Sequence, residues 1–306
     1  MGHRNGYIWK DVDGNDIQAH GGCIIRHENT YYWYGEHKGA DNVPGPVERV
    51  DVIGVSCYSS TDLVNWKYEG LVLESNKTDP ASPIHTSKVL ERPKVIYNDT
   101  TGKFLLWMHV DAADYQRACV GIAISDSPTG PFELLKVKTP NKQDSRDMTV
   151  YKDSDGHAYL FHSKDRNKTM NIARLTDDYT DVDGFYVSVL PDQEREAPAV
   201  FFYEGCYYMV SSGCTSWHPN AALYATCDHL LGKWKLIDNP CRGENADKTF
   251  FGQSSYIFEA NGKFYLMLDH WKPADLKTSG YSILPIEIDT EFKTITVPWQ
   301  DEWKGI

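Results

Sequence analysis

Four residues at equivalent places in this sequence can hold or orient a proton: Glu91, Asp147, Glu196 and Gln253. Each opens an apolar stretch, and His20 opens a fifth of the same kind. A carboxylate at the start of an apolar strand is costly to bury without a partner, so such residues sit where something meets them. Three carboxylates drawn from separate segments to one cavity push their pKa values apart, and the split lets one serve as an acid while another stays ionised. Glu91–Arg92–Pro93 and Glu196–Ala197–Pro198 share a Glu-x-Pro form, which sets them apart from isolated acidic loop residues. Asp147 can instead cap a turn, with Arg146 as its ion-pair partner. The Gly21–Gly22 pair after His20 marks a bulge or a close backbone approach.

The elements that must position these residues recur five times. The copies are HGGCIIRHENTYYWYGEH from His20, ERPKVIYNDTTGKFLLWMH from Glu91, DMTVYKDSDGHAYLFHS from Asp147, EAPAVFFYEGCYYMVSS from Glu196 and QSSYIFEANGKFYLMLDHW from Gln253. Each reads as a strand, a Gly- or Asn-centred turn and an aromatic-rich strand, and a second hairpin follows it. Four short strands per unit and five units predict an all-β fold, a five-bladed β-propeller with four-stranded antiparallel blades, over residues 1–306 as one domain. A β-sandwich does not account for the four-strand period. In a propeller the openers of the five inner strands ring one mouth of the axis. The antiparallel second strands bring their last residues back to that mouth: Glu36 and His37, His109 and Asp111, His162 and Ser163, Ser211 and Ser212, Asp269 and His270. Loops 42–51 and 75–85 lie between modules, and an N-terminal strand from Gly6 to Ile17 is expected to close the ring against Thr294–Trp299.

Composition excludes several classes. A net charge of −12 argues against nucleic-acid binding. Apolar runs fall well short of the roughly 20 residues that span a membrane. No apolar segment follows Met1–Arg4, so no signal peptide is read there. The seven cysteines include no CxxC pair and read mainly as small buried hydrophobes, with Cys214–Cys241 left open as a disulfide. Trp217, among the polar residues Thr215, His218 and Asn220, reads equally as core or as a platform for a sugar ring.

Taken together, IQAHGG, YYWYGEHK, ERPKV, SRDMT, EAPA, SGCT and FGQSS resemble glycoside hydrolase family 43, and within it the exo-β-1,3-galactanases. The resemblance runs from about Gly14 to Trp299. It implies a propeller that cleaves glycosides with inversion, with Glu196 as general acid and Asp147 as the residue that tunes it and orients substrate. The family's first-blade aspartate, the usual base, is absent, and His20–Gly21 stands there. By resemblance to the subgroup, Gln253 takes the base position with Glu91 close by, while Arg92, Tyr115, Asp147 and Thr215 contact sugar. His20, Glu36 and Trp217 complete the expected binding set. Gln253 can orient a water or act as its imidic-acid tautomer, or Glu91 can take the proton; the sequence leaves these open. The implied substrate is β-1,3-galactan or arabinogalactan and the implied location secreted or periplasmic. No cofactor is required, and a calcium ion near Asp269 or His270 is the one metal the family suggests. A family 43 α-L-arabinofuranosidase and a non-catalytic galactan-binding propeller are the competing readings.

Overall fold

A computed structural model of the chain describes residues 2–45 and 48–306. Five sheets follow one another along the chain, and each contains four antiparallel strands that pair in chain order. Blade one is His20–His27, Thr30–Glu36, Gly54–Ser60 and Lys67–Glu74. Blade two is Val89–Asn98, Lys103–Asp111, Cys119–Ser125 and Glu133–Lys138. Met148–Lys152, Ala158–Lys164, Thr169–Leu175 and Val182–Val189 form blade three. Arg195–Tyr203, Cys206–Gly213, Leu223–Cys227 and Lys235–Leu236 form blade four. Blade five is Gln253–Ala260, Lys263–His270, Gly280–Asp289 and Thr294–Pro298. The five-bladed propeller expected from the repeat is the observed fold. No helix among the described residues is long and apolar enough to cross a membrane.

The apolar core is divided into wedges, because each sheet buries both faces against its neighbours. Trp107, Ile122, Leu160 and Leu175 fill the space between blades two and three. Trp33, Tyr58, Met267 and Ile283 fill that between blades one and five, joined by Trp9 and Ile17 from the N-terminal segment. Burial between sheets leaves the axis to the polar residues that open the inner strands.

Strand register delivers those residues in pairs. His20 lies opposite Glu36, Glu91 opposite His109, Glu196 opposite Ser212 and Gln253 opposite Asp269. The pairing then slips just past the opener in blades one, two and four, between His20 and Cys23, Glu91 and Lys94, and Glu196 and Ala199. Such a bulge re-aims the side chain beside it. The residue after each opener is left-handed: Gly21 at φ 57°, Arg92 at 53° and Ala197 at 52°. Proline follows in two of the three bulges, which suits a place where the ladder hydrogen bond is already lost. At Gly22 an added Cβ would sit 1.7 Å from Tyr34 O, so only glycine lets these strands approach.

The ring closes differently from the expectation. Residues 10–16 do not extend along blade five; Asp11 Oδ1 accepts from Asp13 N and Asn15 N at 3.0 and 2.9 Å and folds them into a turn. The outer edge of Thr294–Pro298 pairs instead with Cys241–Arg242, in parallel. The N-terminus docks through His3–Arg4 against Glu302–Trp303 and through a Tyr7–Tyr281 bridge. Loop 42–51 is a hairpin of Asn42–Val43 with Arg49–Val50, of which Pro46 and Val47 lie outside the described residues. Loop 75–85 is drawn closed by an Asn76–His85 bridge. All seven cysteines are free and six are buried, so Cys214 and Cys241 are not linked.

Asn5 fastens this closure. Its Nδ2 donates to Gln300 O at 2.9 Å and Ile283 O at 3.3 Å, and its Oδ1 accepts from Ile283 N at 3.1 Å. Asn5→Ala leaves these buried groups unpaired and is expected to lower unfolding stability by about 1–3 kcal/mol, read from urea denaturation; an unchanged midpoint would show that the N-terminus does not close the ring.

Candidate active site

Four of the five inner-strand openers, Glu91, Asp147, Glu196 and Gln253, converge on a cavity of about 250 Å3 at one end of the axis. Its walls include Glu36, Glu91, Arg92, Tyr115, Asp147, Glu196, Trp217 and Gln253, eight of the ten residues expected from sequence. A larger hollow of about 750 Å3 lies at the far ends of the inner strands. There Lys152 pairs with Asp99, and the Tyr207 hydroxyl donates to Asp153.

Arg92 sits at the centre of the first cavity. Its guanidinium reaches Asp147 Oδ2 at 2.8 Å and Gln253 Oε1 at 2.5 Å, and donates to Ser254 O at 3.1 Å. The bulge turns its backbone N–H to Glu36 Oε1, 3.0 Å away. Blade one repeats the motif, with Gly21 N donating to Asp269 Oδ2 at 3.0 Å. The carboxylate that ends one blade's second strand thus caps the bulge of the next.

Glu91 and Glu196 have opposite surroundings. Burial pushes the Glu196 carboxyl up to about 8, with the negative charge of Asp147 adding to it. Arg92 and the Gln253 amide pull the other way and are outweighed. Gln253 Nε2 donates to Glu196 Oε1 at 3.0 Å, and Asn167 Nδ2 donates to Oε2 at 3.2 Å. Burial works to raise Glu91 as well, but His109, Lys38 and the Tyr115 hydroxyl overrule it and hold Glu91 down at about 2. Tyr115 donates to Glu91 Oε1 at 2.8 Å, and His109 Nδ1 lies 3.5 Å from Oε2. Burial disfavours the charged imidazole of His109, yet Asp111 and Glu91 on its two sides raise it to about 9. The surroundings thus favour a protonated Glu196 and an ionised Glu91 near neutral pH.

Lys38 supplies much of this asymmetry. It is 4% exposed, lies 2.6 Å from Glu36 Oε2 and stays charged because Glu36 and Glu91 outweigh its burial. Its ammonium also faces the rings of Trp217 and Trp271, at 5.8 and 5.6 Å. Those indoles stand edge to face, 5.1 Å apart. Trp217 is tied to Glu48 O at 3.1 Å and Trp271 to Gln253 Oε1 at 2.8 Å.

The model of "Glycosyl hydrolases family 43" matches residues 18–267. The chain belongs to glycoside hydrolase family 43. Among solved structures it is similar to a family 43 β-1,3-galactosidase with galactodeoxynojirimycin, at 39% identity, TM-score 0.92 and coverage of 98% of this chain and 99% of that one. It is similar to an exo-β-1,3-galactanase from Phanerochaete chrysosporium with β-1,3-galactotriose at 31% identity and TM-score 0.89, covering 99% of this chain and 68% of that one. An exo-β-1,3-galactanase from Clostridium thermocellum has 33% identity and TM-score 0.87, with coverage of 99% and 66%. The chain thus spans about two thirds of the length of those two galactanases. No match is found among curated proteins. This family 43 propeller is a glycoside hydrolase.

Two expected residues of the hydrolase are not cavity walls. His20 is wholly buried behind Trp271, stacked on Tyr281 at 4.6 Å, with Nδ1 3.2 Å from Asp269 Oδ1 and Nε2 3.0 Å from the Tyr281 hydroxyl. Burial lowers its pKa, and the neutral ring braces Asp269 behind the cavity wall. Thr215 lies on the rim, its hydroxyl tied to His218 O and to Asn220 Nδ2 at 2.5 and 2.7 Å. Arg146 pairs with Asp144, not with Asp147, whose partner is Arg92.

Sequence reasoning left out Lys38, Asn167, Ser216 and Trp271, and placed His109 at the mouth without a role. Lys38 and Trp271 lie one or two residues past the second strands of blades one and five, beyond the reach of strand alternation. Asn167 lies in a turn, where type and spacing carry little signal.

The calcium position suggested by the family does not fit. Asp269 already serves His20 and Gly21 N, and His270 Nε2 is 2.7 Å from Ser282 Oγ. Calcium takes six to eight oxygen ligands. Nearby, the buried Lys94 amine donates to Gly21 O; burial lowers it to about 8, against the opposing charges of Asp269 and Asp147. Glu91, His109 and Asp147 offer ligand atoms within 4.8 Å of one another, but His109 is held protonated and Asp147 is neutralised by Arg92.

Two outcomes follow from this charge distribution. Activity after exhaustive chelation is expected to equal that of untreated enzyme, and a loss that calcium restores would overturn the donor-set argument. Lys38→Met removes a cation that holds Glu91 down, so the acid limb of the pH–activity profile is expected to move upward; an unmoved limb would show that Lys38 does not set the charge of Glu91.

Proposed function

We propose that this family 43 enzyme is an exo-acting β-1,3-galactanase. It releases galactose from the non-reducing end of β-1,3-galactan, the backbone of arabinogalactan, with inversion at C1. The observation that carries the reading is the contrast between two glutamates on the walls of one cavity: Glu196, buried beside Asp147 and pushed up to about 8, and Glu91, ringed by His109, Lys38 and Tyr115 and held down at about 2. Glycoside hydrolysis by inversion needs that pair: an acid for the leaving oxygen and a base for water on the opposite face. The galactose-type ligands of two structural neighbours support the sugar. A cavity of about 250 Å3 walled by Trp217 and Trp271 suits one terminal sugar unit and supports exo action.

In the proposed reaction Arg92, Asp147 and Tyr115 hold the sugar hydroxyls. Glu196 gives its proton to the glycosidic oxygen as the C1–O bond breaks, and that oxygen keeps the bonding pair. Water attacks C1 from the other face and loses a proton as its bond forms. Gln253 is a poor recipient. Its oxygen already accepts from Arg92 and Trp271, which fills both lone pairs and opposes the imidic-acid form. Glu91, held ionised by His109 and Lys38, is the favoured acceptor, and Gln253 aligns the acid. A polymer substrate of this kind keeps a secreted or periplasmic location as part of the proposal.

Glu196→Gln is expected to lower turnover of β-1,3-galactan by about 100-fold or more and to abolish the alkaline limb near pH 8. Wild-type enzyme followed by proton NMR is expected to release α-galactose first. Near wild-type turnover by Glu196→Gln, or release of arabinose instead of galactose from arabinogalactan, would overturn the assignment.

A further inference from the structure

A carboxylic acid carries its proton on one oxygen, and the surroundings of Glu196 decide which. Gln253 Nε2 donates to Oε1 at 3.0 Å, and Asn167 Nδ2 faces Oε2 at 3.2 Å. Gln253 cannot turn over. Its oxygen accepts from Arg92 at 2.5 Å and Trp271 at 2.8 Å, both donor-only groups, and reversal would set N–H against N–H. Its Nε2 also donates to Ser212 Oγ at 2.9 Å. Oε1 therefore always meets an N–H and must accept, which leaves Oε2 for the proton.

Asn167 is under no such constraint. Its Oδ1 is buried and has no hydrogen-bond partner. The two ends of its amide are nearly the same size, so a half turn about the terminal side-chain bond puts Oδ1 where Nδ2 stands. In that orientation the unpaired oxygen accepts the Oε2–H of the protonated acid. We infer that Asn167 is a positioning residue whose amide follows the protonation of Glu196, presenting Oδ1 to the acid and Nδ2 to the carboxylate. The inference rests on Glu196 being the general acid, as proposed above.

The backbone is built for this placement. Asp165, Arg166 and Asn167 are all left-handed, at φ 54°, 56° and 65°. Three such residues in succession need an outside hold, and Asp144 provides it by accepting from Asp165 N at 2.8 Å and Arg166 N at 3.1 Å. Arg146 pairs with Asp144 in turn. Asparagine is among the few side chains that adopt this conformation readily. The segment that carries Asp147 thus also fixes the turn that aims Asn167.

The cycle balances in protons. Before cleavage Oε2–H is held by Asn167 Oδ1 until the glycosidic oxygen displaces it. Proton transfer breaks Oε2–H, forms O–H on the leaving group and leaves a carboxylate, toward which Nδ2 turns. A solvent proton restores the acid and reverses the amide. The charged and titratable groups around Glu196 are Asp147, Arg92, Arg195 and Cys214. The arginines only donate and Asp147 has no proton to give; the Cys214 thiol is committed to Glu194 O and is a weak donor and acceptor, so only the Asn167 amide offers a strong donor and a strong acceptor at Oε2.

The test uses the whole chain and Asn167→Gly, which keeps the left-handed backbone and removes the amide. Turnover of β-1,3-galactobiose, whose leaving group needs the proton, is expected to fall about ten-fold, the size of one lost hydrogen bond. Turnover of a dinitrophenyl β-galactoside, whose leaving group does not, is expected to stay within about three-fold. Equal losses on both would reduce Asn167 to a structural or binding role and overturn the inference. The side-chain amide NMR signal of Asn167, assigned by its loss in the glycine variant, is expected to shift with the midpoint of the alkaline limb and to be static in Glu196→Gln. A static signal in wild type, with Glu196→Gln inactive, overturns the inference alone. An active Glu196→Gln overturns the acid assignment and the inference with it.

Discussion

The site hangs on one buried guanidinium. Arg92 is tied to Asp147 from blade three, to Gln253 and Ser254 O from blade five and, through its backbone, to Glu36 from blade one. A propeller has no covalent link between neighbouring blades other than the chain itself, so polar contacts across the axis fix where the inner strands stand relative to one another. Arg92 also decides the chemistry of Gln253. With its oxygen committed to the guanidinium, the amide has only N–H to offer Glu196, and a neutral side chain becomes a directional one. A lysine there would keep the charge and lose the fork that reaches two partners at once.

Charge is segregated across the small volume that Arg92 organises. On the Glu91 side stand Lys38 and His109, kept protonated by the carboxylates they neutralise. On the Glu196 side stands Asp147, and burial has no comparable cation to offset it, since Arg92 is shared with Asp147 and Gln253. Low local dielectric strengthens both effects, so a difference in neighbours becomes a difference of several pKa units between two glutamates of the same sequence form. Desolvation alone raises both. The cations near Glu91 decide the sign.

The repeat made the architecture legible, because an alternating aromatic pattern with turn residues at fixed places has few other solutions. It also located Glu36, Glu91, Asp147, Glu196 and Gln253 by position alone, since period-two strands in register bring openers and enders to one mouth. His20 shared the position without reaching the cavity. Its ring is drawn under Trp271 by Asp269 and Tyr281, and no pattern in one strand reports contacts made by another blade. Lys38, Asn167 and Trp271 escaped for a related reason: they sit just beyond strands or in a turn, where backbone conformation and not alternation sets direction. The closure of the ring was misjudged because the Asp11 turn competes with extension over residues 10–16.

One backbone device serves three different ends. Gly21, Arg92 and Ala197 occupy the same left-handed place in three bulges, and the side chain each carries separates their roles. At Gly21 a Cβ would lie 2.5 Å from Glu36 Oε1, so the carboxylate that caps Arg92 N can be where it is only because blade one carries glycine there. Arg92 uses the same turn to throw a long cation across the axis. Ala197 keeps the space beside Glu196 narrow while leaving its carbonyl open to the Ser254 hydroxyl at 2.6 Å. A left-handed backbone costs Arg92 and Ala197 about 1–2 kcal/mol each, which glycine would avoid. Arginine is retained where its reach is needed. Alanine rather than glycine next to Glu196 limits the backbone freedom of the segment that aims the acid, a gain in rigidity where a small misplacement of the proton donor is most damaging.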